Sequence, residues 1–232
     1  MILLTKLFLA HIIGDFILQP KRWVIQKESK KAASAFLYLH ILIHFLLVIV
    51  ILWDINYWQI ALIIASSHYV IDLLKIYLTP AFKNKAVPFF LDQFLHIVVL
   101  YICVYYGNLI EHTNSLIEQI DWRLLTVMVF VTYPAAILMR ILLEGMSNQI
   151  NLDHKSLPNA GKYIGIIERL FVLVFIIMDR WEAIGLLITA KSVFRFNDLK
   201  ESNSRKLTEY ILIGTLLSFG IAIIAGIIYN YI

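Results

Sequence analysis

The stretch A-F-L-Y-L-H-I-L-I-H-F-L-L-V-I-V-I-L-W, residues 35–53, decides how this chain folds. It is apolar over about the 20 residues that a helix needs to cross the hydrocarbon core of a membrane, yet it contains His40 and His44. Residues four positions apart in a helix lie on the same face, one turn from each other. The two imidazoles are therefore expected side by side within a membrane-spanning helix.

Three further pairs repeat this spacing in the first hundred residues, again inside apolar stretches. They are His11/Asp15, His68/Asp72 and Asp92/His96. Charged groups at membrane depth cost roughly 2.5–3.5 kcal/mol each on insertion scales, so they usually face the interior of a helix bundle and have a function. Five of the seven histidines belong to the four pairs. Together the pairs offer a concentrated set of imidazole and carboxylate groups.

The composition also indicates a membrane protein. The chain is 60% hydrophobic and 16% charged, with a mean hydropathy of +0.78, whereas soluble domains carry about 25% charged residues. The net charge of +4 is attributed to cytoplasmic loops, so no nucleic-acid partner is expected. Cys103 is the only cysteine, which excludes an intrachain disulfide.

The apolar runs predict an all-α, polytopic transmembrane bundle of about eight spans. The predicted spans are residues 2–19, 35–53, 59–79, 89–106, 122–144, 163–178, 182–196 and 207–231. The sixth and seventh are short and also fit a helical hairpin that dips into the membrane. We interpret residues 1–232 as a single integral membrane domain. Its four-helix half 1–106 contains the His/Asp pairs, and its four-helix half 107–232 contains charges of other types.

Loop charges predict the orientation of these spans. Lysine and arginine are concentrated in the odd-numbered loops, and the first loop alone contains Lys21, Arg22, Lys27, Lys30 and Lys31. The positive-inside rule places such loops in the cytoplasm, so both termini are predicted outside. Under this topology all four pairs lie on the cytoplasmic side of the membrane midplane.

Imidazole and carboxylate ligands together suit a divalent metal, with zinc as the first expectation and iron and manganese as alternatives. The predicted ligands are His11, Asp15, His40, His44, His68, Asp72, Asp92 and His96. One zinc ion takes about three or four protein ligands, so the set is large enough for two ions. Asp15, Asp72 and Asp92 are predicted as ligands or as the general base. Hydrogen bonds across helix interfaces and a proton relay are the alternatives.

The second half of the chain contains a different group of charges. Its members are Glu168, Arg169, Lys191, Arg195 and Glu209. Snorkelling and interhelical ion pairs are one interpretation of this group. The other is a substrate-binding clamp for a phosphate or carboxylate group that faces the metal site. His112 and His154 fall in predicted loops and are interpreted as solvated.

Several motifs resemble a family of uncharacterised bacterial integral membrane proteins, classed as a domain of unknown function. They are H-I-I-G-D-F-x-L-Q at 11–19, I-I-E-R-L at 166–170, A-K-S-V-F-R-F at 190–196 and E-Y-I-L-I-G-T-L-L-S at 209–218. The resemblance implies a location in the bacterial cytoplasmic membrane. It implies no particular activity.

A second resemblance is to bacterial membrane-bound metal-dependent hydrolases of the LexA-regulated type. It rests on H-I-L-I-H at 40–44, S-H-Y-V-I-D at 67–72 and T-P at 79–80. The resemblance implies that His40, His44, His68 and Asp72 belong to a metal motif, and it implies hydrolase activity.

These observations lead to one main hypothesis and two alternatives. The hypothesis is a membrane hydrolase that uses its metal to cleave an amphiphilic or lipid-phosphate substrate, whose anion would be neutralised by Lys191, Arg195 and Arg169. The first alternative is a metal-ion or proton-coupled transporter that uses the same residues as a transit site. The second is a non-catalytic membrane protein with a structural metal. The lipid bilayer is the one partner common to all three, and the sequence leaves the oligomeric state open.

Overall fold

A computed structural model describes residues 1–107, 119–147, 159–202 and 205–231, apart from the side chains of 194–205. Every regular element in these ranges is helical, which confirms the predicted all-α class. The chain forms two compact units, Met1–Val129 and Phe130–Ile232. His112 and His154, predicted to lie in solvated loops, fall outside the described residues.

The first unit contains the helices that bear all four ionisable pairs. Its elements are α1 (Ile2–Ile12), a π-helical turn (Ile13–Ile17), α2 (Lys21–Lys30), α3 (Ala35–Leu52), α4 (Trp58–Leu78), α5 (Ala86–Gly107) and most of α6 (Trp122–Val131), with 3-10 turns at Lys31–Ala33, Ile55–Tyr57 and Thr79–Ala81. The second unit contains the end of α6, then α7 (Tyr133–Ser147), α8 (Ala160–Ile177), α9 (Trp181–Ser202) and α10 (Arg205–Tyr231).

Five stretches of helix are long and apolar enough to cross a membrane. They are Ala35–Leu52, Ile55–Ala81, Ala86–Gly107, Trp122–Ser147 and Lys206–Tyr231, and the bent pair Ile2–Ile17 with Lys21–Ala33 makes a sixth if it counts as one span. The predicted number of about eight spans is therefore not confirmed within the described residues. The difference lies in the predicted spans 163–178 and 182–196, because α8 and α9 carry several charges each. In α8 these are Lys162, Glu168 and Arg169.

The chain turns sharply between α1 and α2. The segments Ile2–Ile17 and Lys21–Ala33 meet at 83°, and Pro20 stands directly before α2 with φ −63° and ψ 148°. Proline has no backbone N–H and disfavours a helical conformation in the residue before it. The predicted span 2–19 therefore ends at this turn, and the charged helix α2 runs in a new direction.

Four helices form a ring in the first unit. α1 contacts α3 and α5, and α4 contacts the same two helices. Buried positions recur every three or four residues, as on one face of a helix. In α3, α4 and α5 the buried stripe changes between apolar and ionisable residues along the helix. In α5 the stripe runs from Asp92 and His96 to Leu100, Cys103 and Gly107. The core of the ring therefore has an apolar part and a polar part.

The second unit has an apolar core formed by α8, α9 and α10. Its buried cluster consists of Val172, Ile176, Ile184, Phe219 and Ala222. α10 contacts α7 as well as α8, so α10 links the helices of this unit.

Arg169 is buried in the second unit and satisfies polar groups at the break between α6 and α7. Its Nε donates to the carbonyl of Val131, its Nη2 donates to the carbonyl of Thr132 at 3.1 Å, and its Nη1 donates to Oγ of Ser218 at 3.1 Å. Pro134 follows the break and has no N–H to offer to the preceding turn. The guanidinium supplies donors there and joins the break to α10.

Replacement of Arg169 by methionine is expected to destabilise the second unit. Each carbonyl left without a donor in the interior costs roughly 1–3 kcal/mol, so the thermal midpoint in detergent should fall clearly. Arg140→Met is the matched control, since Arg140 lies on α7 in the same unit and is exposed. Equal midpoints for the two variants would contradict a structural role for Arg169.

Candidate metal centre

All eight predicted ligands lie in the polar part of the ring. His11 is in α1, Asp15 in the π-helical turn, His40 and His44 in α3, His68 and Asp72 in α4, and Asp92 and His96 in α5. Seven of them are buried, and 10% of the Asp15 side chain is exposed. The i, i+4 spacing therefore identified side chains that share one region of the core.

The carboxylate of Asp15 is the centre of this cluster. Its Oδ1 lies 3.0 Å from Nε2 of His44 and 3.2 Å from Nε2 of both His40 and His68. The Nε2 atoms of His40 and His68 are 3.1 Å apart. Oδ2 of Asp15 lies 3.7 Å from Nε2 of His11. Four imidazoles from three helices thus surround one carboxylate.

The ligand atoms of His11, Asp15, His44 and His68 lie close enough together to contact one ion. Zinc bonds of about 2.0–2.1 Å in a tetrahedron place neighbouring ligand atoms about 3.3–3.4 Å apart. In the group His11, Asp15, His44 and His68, each residue offers a ligand atom within 4.8 Å of the others, and Oδ1 of Asp15 lies 3.0 Å from Nε2 of His44 and 3.2 Å from Nε2 of His68. The donor set of three imidazoles and one carboxylate is also one that zinc accepts. These residues therefore fit a divalent ion.

Hydrogen bonding alone does not satisfy the cluster. Nε2 of His40 lies 2.9 Å from the side-chain amide of Gln19, 3.1 Å from Nε2 of His68 and 3.2 Å from Oδ1 of Asp15. An imidazole nitrogen either donates one hydrogen bond or accepts one. It therefore forms a hydrogen bond with one of these three atoms and only close contacts with the other two. A cation that accepts lone pairs from several of these atoms would remove this conflict.

The ligand atoms fall into three overlapping groups, each with members within 4.8 Å of one another. The groups are His11, Asp15, His44 and His68; then His40, His68 and Asp72; then Asp15, Asp92 and His96. Asp15 and His68 each belong to two groups. The cluster is therefore continuous, and its shared members are positioned to contact two neighbouring ion positions.

The third group contains buried polar atoms without hydrogen bonds. Within the part of the chain that the structure describes, Oδ1 of Asp92 and Nε2 of His96 make none, and the two atoms lie 3.4 Å apart. Nearly all buried polar atoms in proteins find a partner. These two atoms are therefore further candidates for contact with an ion or a ligand.

Two lysines that the sequence analysis did not assign to the site are ion-paired with its carboxylates. Nζ of Lys27 donates to Oδ2 of Asp72 at 2.6 Å, and Nζ of Lys75 donates to Oδ2 of Asp92 at 2.7 Å. The two pairs differ in exposure, since 6% of the Lys27 side chain and 33% of the Lys75 side chain are exposed. Each pair neutralises one carboxylate and occupies one of its oxygens.

Gln93 links the carboxylates to each other. Its Nε2 donates to Oδ2 of Asp15 at 3.0 Å and to Oδ2 of Asp92 at 3.2 Å, and its Oε1 lies 3.3 Å from Nε2 of His11. An amide that contacts three ligand residues orients them, as supporting residues commonly do around metals.

The sequence contained a signal for only one of the two lysines. Lys75 lies three positions after Asp72 and seven after His68, so helical periodicity places it on the ligand face of α4. Lys27 lies in the charged helix α2 and reaches Asp72 only because the chain bends by 83° before that helix. No local pattern predicts that contact.

Gly14 permits the close approach of α3 to the π-helical turn. A Cβ built at Gly14 would lie 2.6 Å from Nε2 of His44 and 3.0 Å from its Nδ1. Such contacts are too short for any other residue type. The π-helical turn that contains Gly14 also contains Asp15, and π-helical turns inside α-helices are frequent at functional sites.

The predicted substrate clamp lies in the second unit, where most of its members contact one another or the backbone. Nζ of Lys191 donates to Oε2 of Glu168, and Arg169 contacts the break after α6. Glu209 is exposed on α10. The side chain of Arg195 lies outside the described residues. The interpretation as ion pairs therefore accounts for the contacts of Lys191 and Glu168, and substrate binding by this group stays a prediction.

Comparison with known proteins places the chain in an uncharacterised family. Residues 3–139 match the family model described as "Protein of unknown function (DUF3307)", and the chain belongs to this family. The match includes all eight candidate ligands and the motif at 11–19, whereas the motifs at 166–170, 190–196 and 209–218 lie beyond it. No curated protein and no solved structure matches the chain. The resemblance to LexA-regulated hydrolases finds no support in these comparisons.

Replacement of Gly14 by alanine is expected to damage the site. The added methyl group must push His44 away from Asp15, and overpacking of this kind costs about 1–3 kcal/mol. Both the thermal midpoint and the bound metal should fall. Gly185→Ala is the control, because a Cβ at Gly185 has no neighbour within 4 Å. Unchanged metal content in Gly14→Ala would contradict the close-approach argument.

Proposed function

We propose that this protein is a metal-dependent hydrolase of the bacterial cytoplasmic membrane, with both termini outside and an amphiphilic or lipid-phosphate substrate. Zinc is the proposed ion, with iron and manganese as alternatives. The observation that carries the proposal is the meeting of three Nε2 atoms at 3.0–3.2 Å from one carboxylate oxygen of Asp15.

The physical argument is the cost of such a cluster without a ligand. Buried polar groups that lack partners are costly in a low-dielectric core, and the described contacts leave atoms of His40, Asp92 and His96 without hydrogen bonds. Apolar side chains at the same positions would avoid this cost. Their presence supports a functional ion at this position.

In this proposal some residues of the cluster bind the ion, and others act as the general base. His11, Asp15, His44 and His68 would hold the ion, with His40 beside them. A divalent ion bound there would supply Lewis-acid chemistry, which serves the hydrolysis of esters and phosphate esters. Gln93 keeps Asp15 in position through its hydrogen bond to Oδ2.

The general base is proposed among the carboxylates and the remaining imidazole. Lys27 occupies Oδ2 of Asp72, and Lys75 occupies Oδ2 of Asp92. Oδ1 of Asp92 and Nε2 of His96 have no hydrogen bond and lie 3.4 Å apart. In this proposal the pair would accept a proton and pass it along, which is the task of a general base.

A transporter for metal ions or protons is the second candidate. It is favoured by the continuity of the three ligand groups through Asp15 and His68, because a transit path needs successive sites that share or exchange ligands. The helices that bear most of these ligands, α3, α4 and α5, are each long and apolar enough to span a membrane. A structural metal would require tight binding and no turnover.

The metal itself is tested by elemental analysis. Protein purified in mild detergent without added metal is expected to contain one or two equivalents of zinc, iron or manganese by mass spectrometry. His68→Ala and His44→Ala should lose most of it, because each removes a ligand from the central set. His112→Ala, which changes a histidine outside the eight, should retain it. Full metal content in His68→Ala would refute the assignment.

Hydrolysis and transport are separated by two assays on the metal-loaded protein. A hydrolase should release inorganic phosphate from a short-chain phosphatidate in detergent, and His68→Ala should reduce that rate at least about a hundredfold, as loss of a metal ligand or its support does. A transporter should instead carry zinc into proteoliposomes that contain a zinc-sensitive dye. Zinc uptake without phosphate release would replace the hydrolase proposal by the transporter.

A further inference from the structure

We propose that Lys75 binds an anionic group, of phosphate type, on the substrate of the metal centre. This inference rests on the proposed function and adds a residue that determines substrate class. It also places the anion-binding residue in the first unit, whereas the sequence analysis predicted an anion clamp among Arg169, Lys191 and Arg195.

The charges of the site favour an anionic ligand once a metal is bound. With neutral imidazoles, three carboxylates and two lysines sum to one negative charge. The carboxylates are Asp15, Asp72 and Asp92, and the lysines are Lys27 and Lys75. One divalent ion changes this sum to one positive charge. An uncompensated charge in the interior is costly, so binding of an anion becomes favourable.

Lys75 is the accessible cation of the site. One third of its side chain is exposed, compared with 6% for Lys27, while its partner Asp92 is 1% exposed. An ammonium group has three donors, and the hydrogen bond to Oδ2 of Asp92 occupies one of them. Lys75 can therefore hold Asp92 and contact a ligand that enters from outside at the same time.

Aromatic side chains stand beside Lys75 at this edge of the site. Nζ of Lys75 lies 5.7 Å from the ring centre of Phe89, and Phe89 contacts Phe16 edge-to-face at 6.3 Å between ring centres. Phe16 directly follows Asp15 in the π-helical turn, and both phenylalanines are half-buried. The accessible edge thus combines a cation with apolar surface.

This combination fits an amphiphile whose anionic head lies at Lys75 and whose apolar part lies along the aromatic edge. Phosphate is the head group that best suits the site, since phosphate oxygens can contact both an ammonium group and a bound divalent ion. A free phosphate and a lipid phosphate share this chemistry. They differ in whether the apolar edge contributes to binding.

The inference is tested by direct binding, without reference to turnover. Inorganic phosphate, and separately a short-chain phosphatidate below its micelle concentration, is titrated calorimetrically into the zinc-loaded full-length protein in detergent. Lys75→Met is expected to weaken both titrations by about tenfold or more, the effect of losing one charge-assisted hydrogen bond, while its zinc content stays equal to that of the wild type. Lys75→Arg should restore part of the affinity because it keeps the charge.

Lys83→Met is the matched control, because Lys83 is exposed in the loop that follows α4. This variant should bind both ligands as the wild type does.

Phosphate binding by Lys75→Met at wild-type affinity would overturn the inference. Loss of zinc from Lys75→Met would also overturn it, because that result would assign Lys75 to metal retention. Zinc-loaded wild-type protein that binds neither ligand would overturn the inference and leave the metal centre standing. Failure of the wild type to bind zinc would instead refute the proposed function.

Phosphatidate that binds more tightly than inorganic phosphate would assign the aromatic edge to the lipid chains. Equal affinities would support binding through the head group alone. Both results support an anionic ligand at Lys75, and they distinguish its two sources.

Discussion

The contact between the Asp15 carboxylate and three imidazoles of α3 and α4 is the interaction on which the first unit depends. Apolar stripes alone give helices little reason to choose one register over another, above all in lipid, whose tails are as apolar as leucine side chains. Buried polar groups do give such a reason, because each one displaced from its partners incurs the cost of an unsatisfied group. The position of α1 against α3 and α4 is therefore determined mainly by where Asp15 finds its imidazoles.

Local backbone features make that contact achievable. The π-helical turn Ile13–Ile17 presents Asp15 to the ring, and Gly14 leaves room for the imidazole of His44. At the apolar part of the same ring, Gly107 has a corresponding role, since a Cβ there would lie 2.7 Å from Cδ2 of Leu3 and 2.9 Å from Cδ1 of Ile60. Close helix approach at both parts of the core keeps the ring narrow, which lets short side chains such as aspartate reach their partners.

Much of the candidate site was predictable from sequence, because helical periodicity is a local property. The i, i+4 pairs identified all eight residues that the structure brings together, and the apolar runs around them predicted helices. The contact of Lys27 with Asp72 was not predictable, since it depends on the direction that the chain takes after Pro20. The number of spans was not predictable in the same way. Glu168 and Arg169 interrupt the apolar run of α8, and their partners, Lys191 and the Val131 carbonyl, are distant in sequence.

The same ion pair between Lys27 and Asp72 couples the surface helix α2 to the interior of the ring. Lys27 is the one buried residue of α2, and its ammonium group lies 2.6 Å from a carboxylate that also belongs to a candidate ligand group. Any cation that binds Oδ2 of Asp72 competes with Lys27 of α2 for this ion pair. By thermodynamic linkage the reverse also holds, so an anionic surface that draws α2 away from the ring would change the affinity of the interior for cations by the same factor. The sharp turn at Pro20 thereby connects the charge state of a buried site to the position of an exposed basic helix.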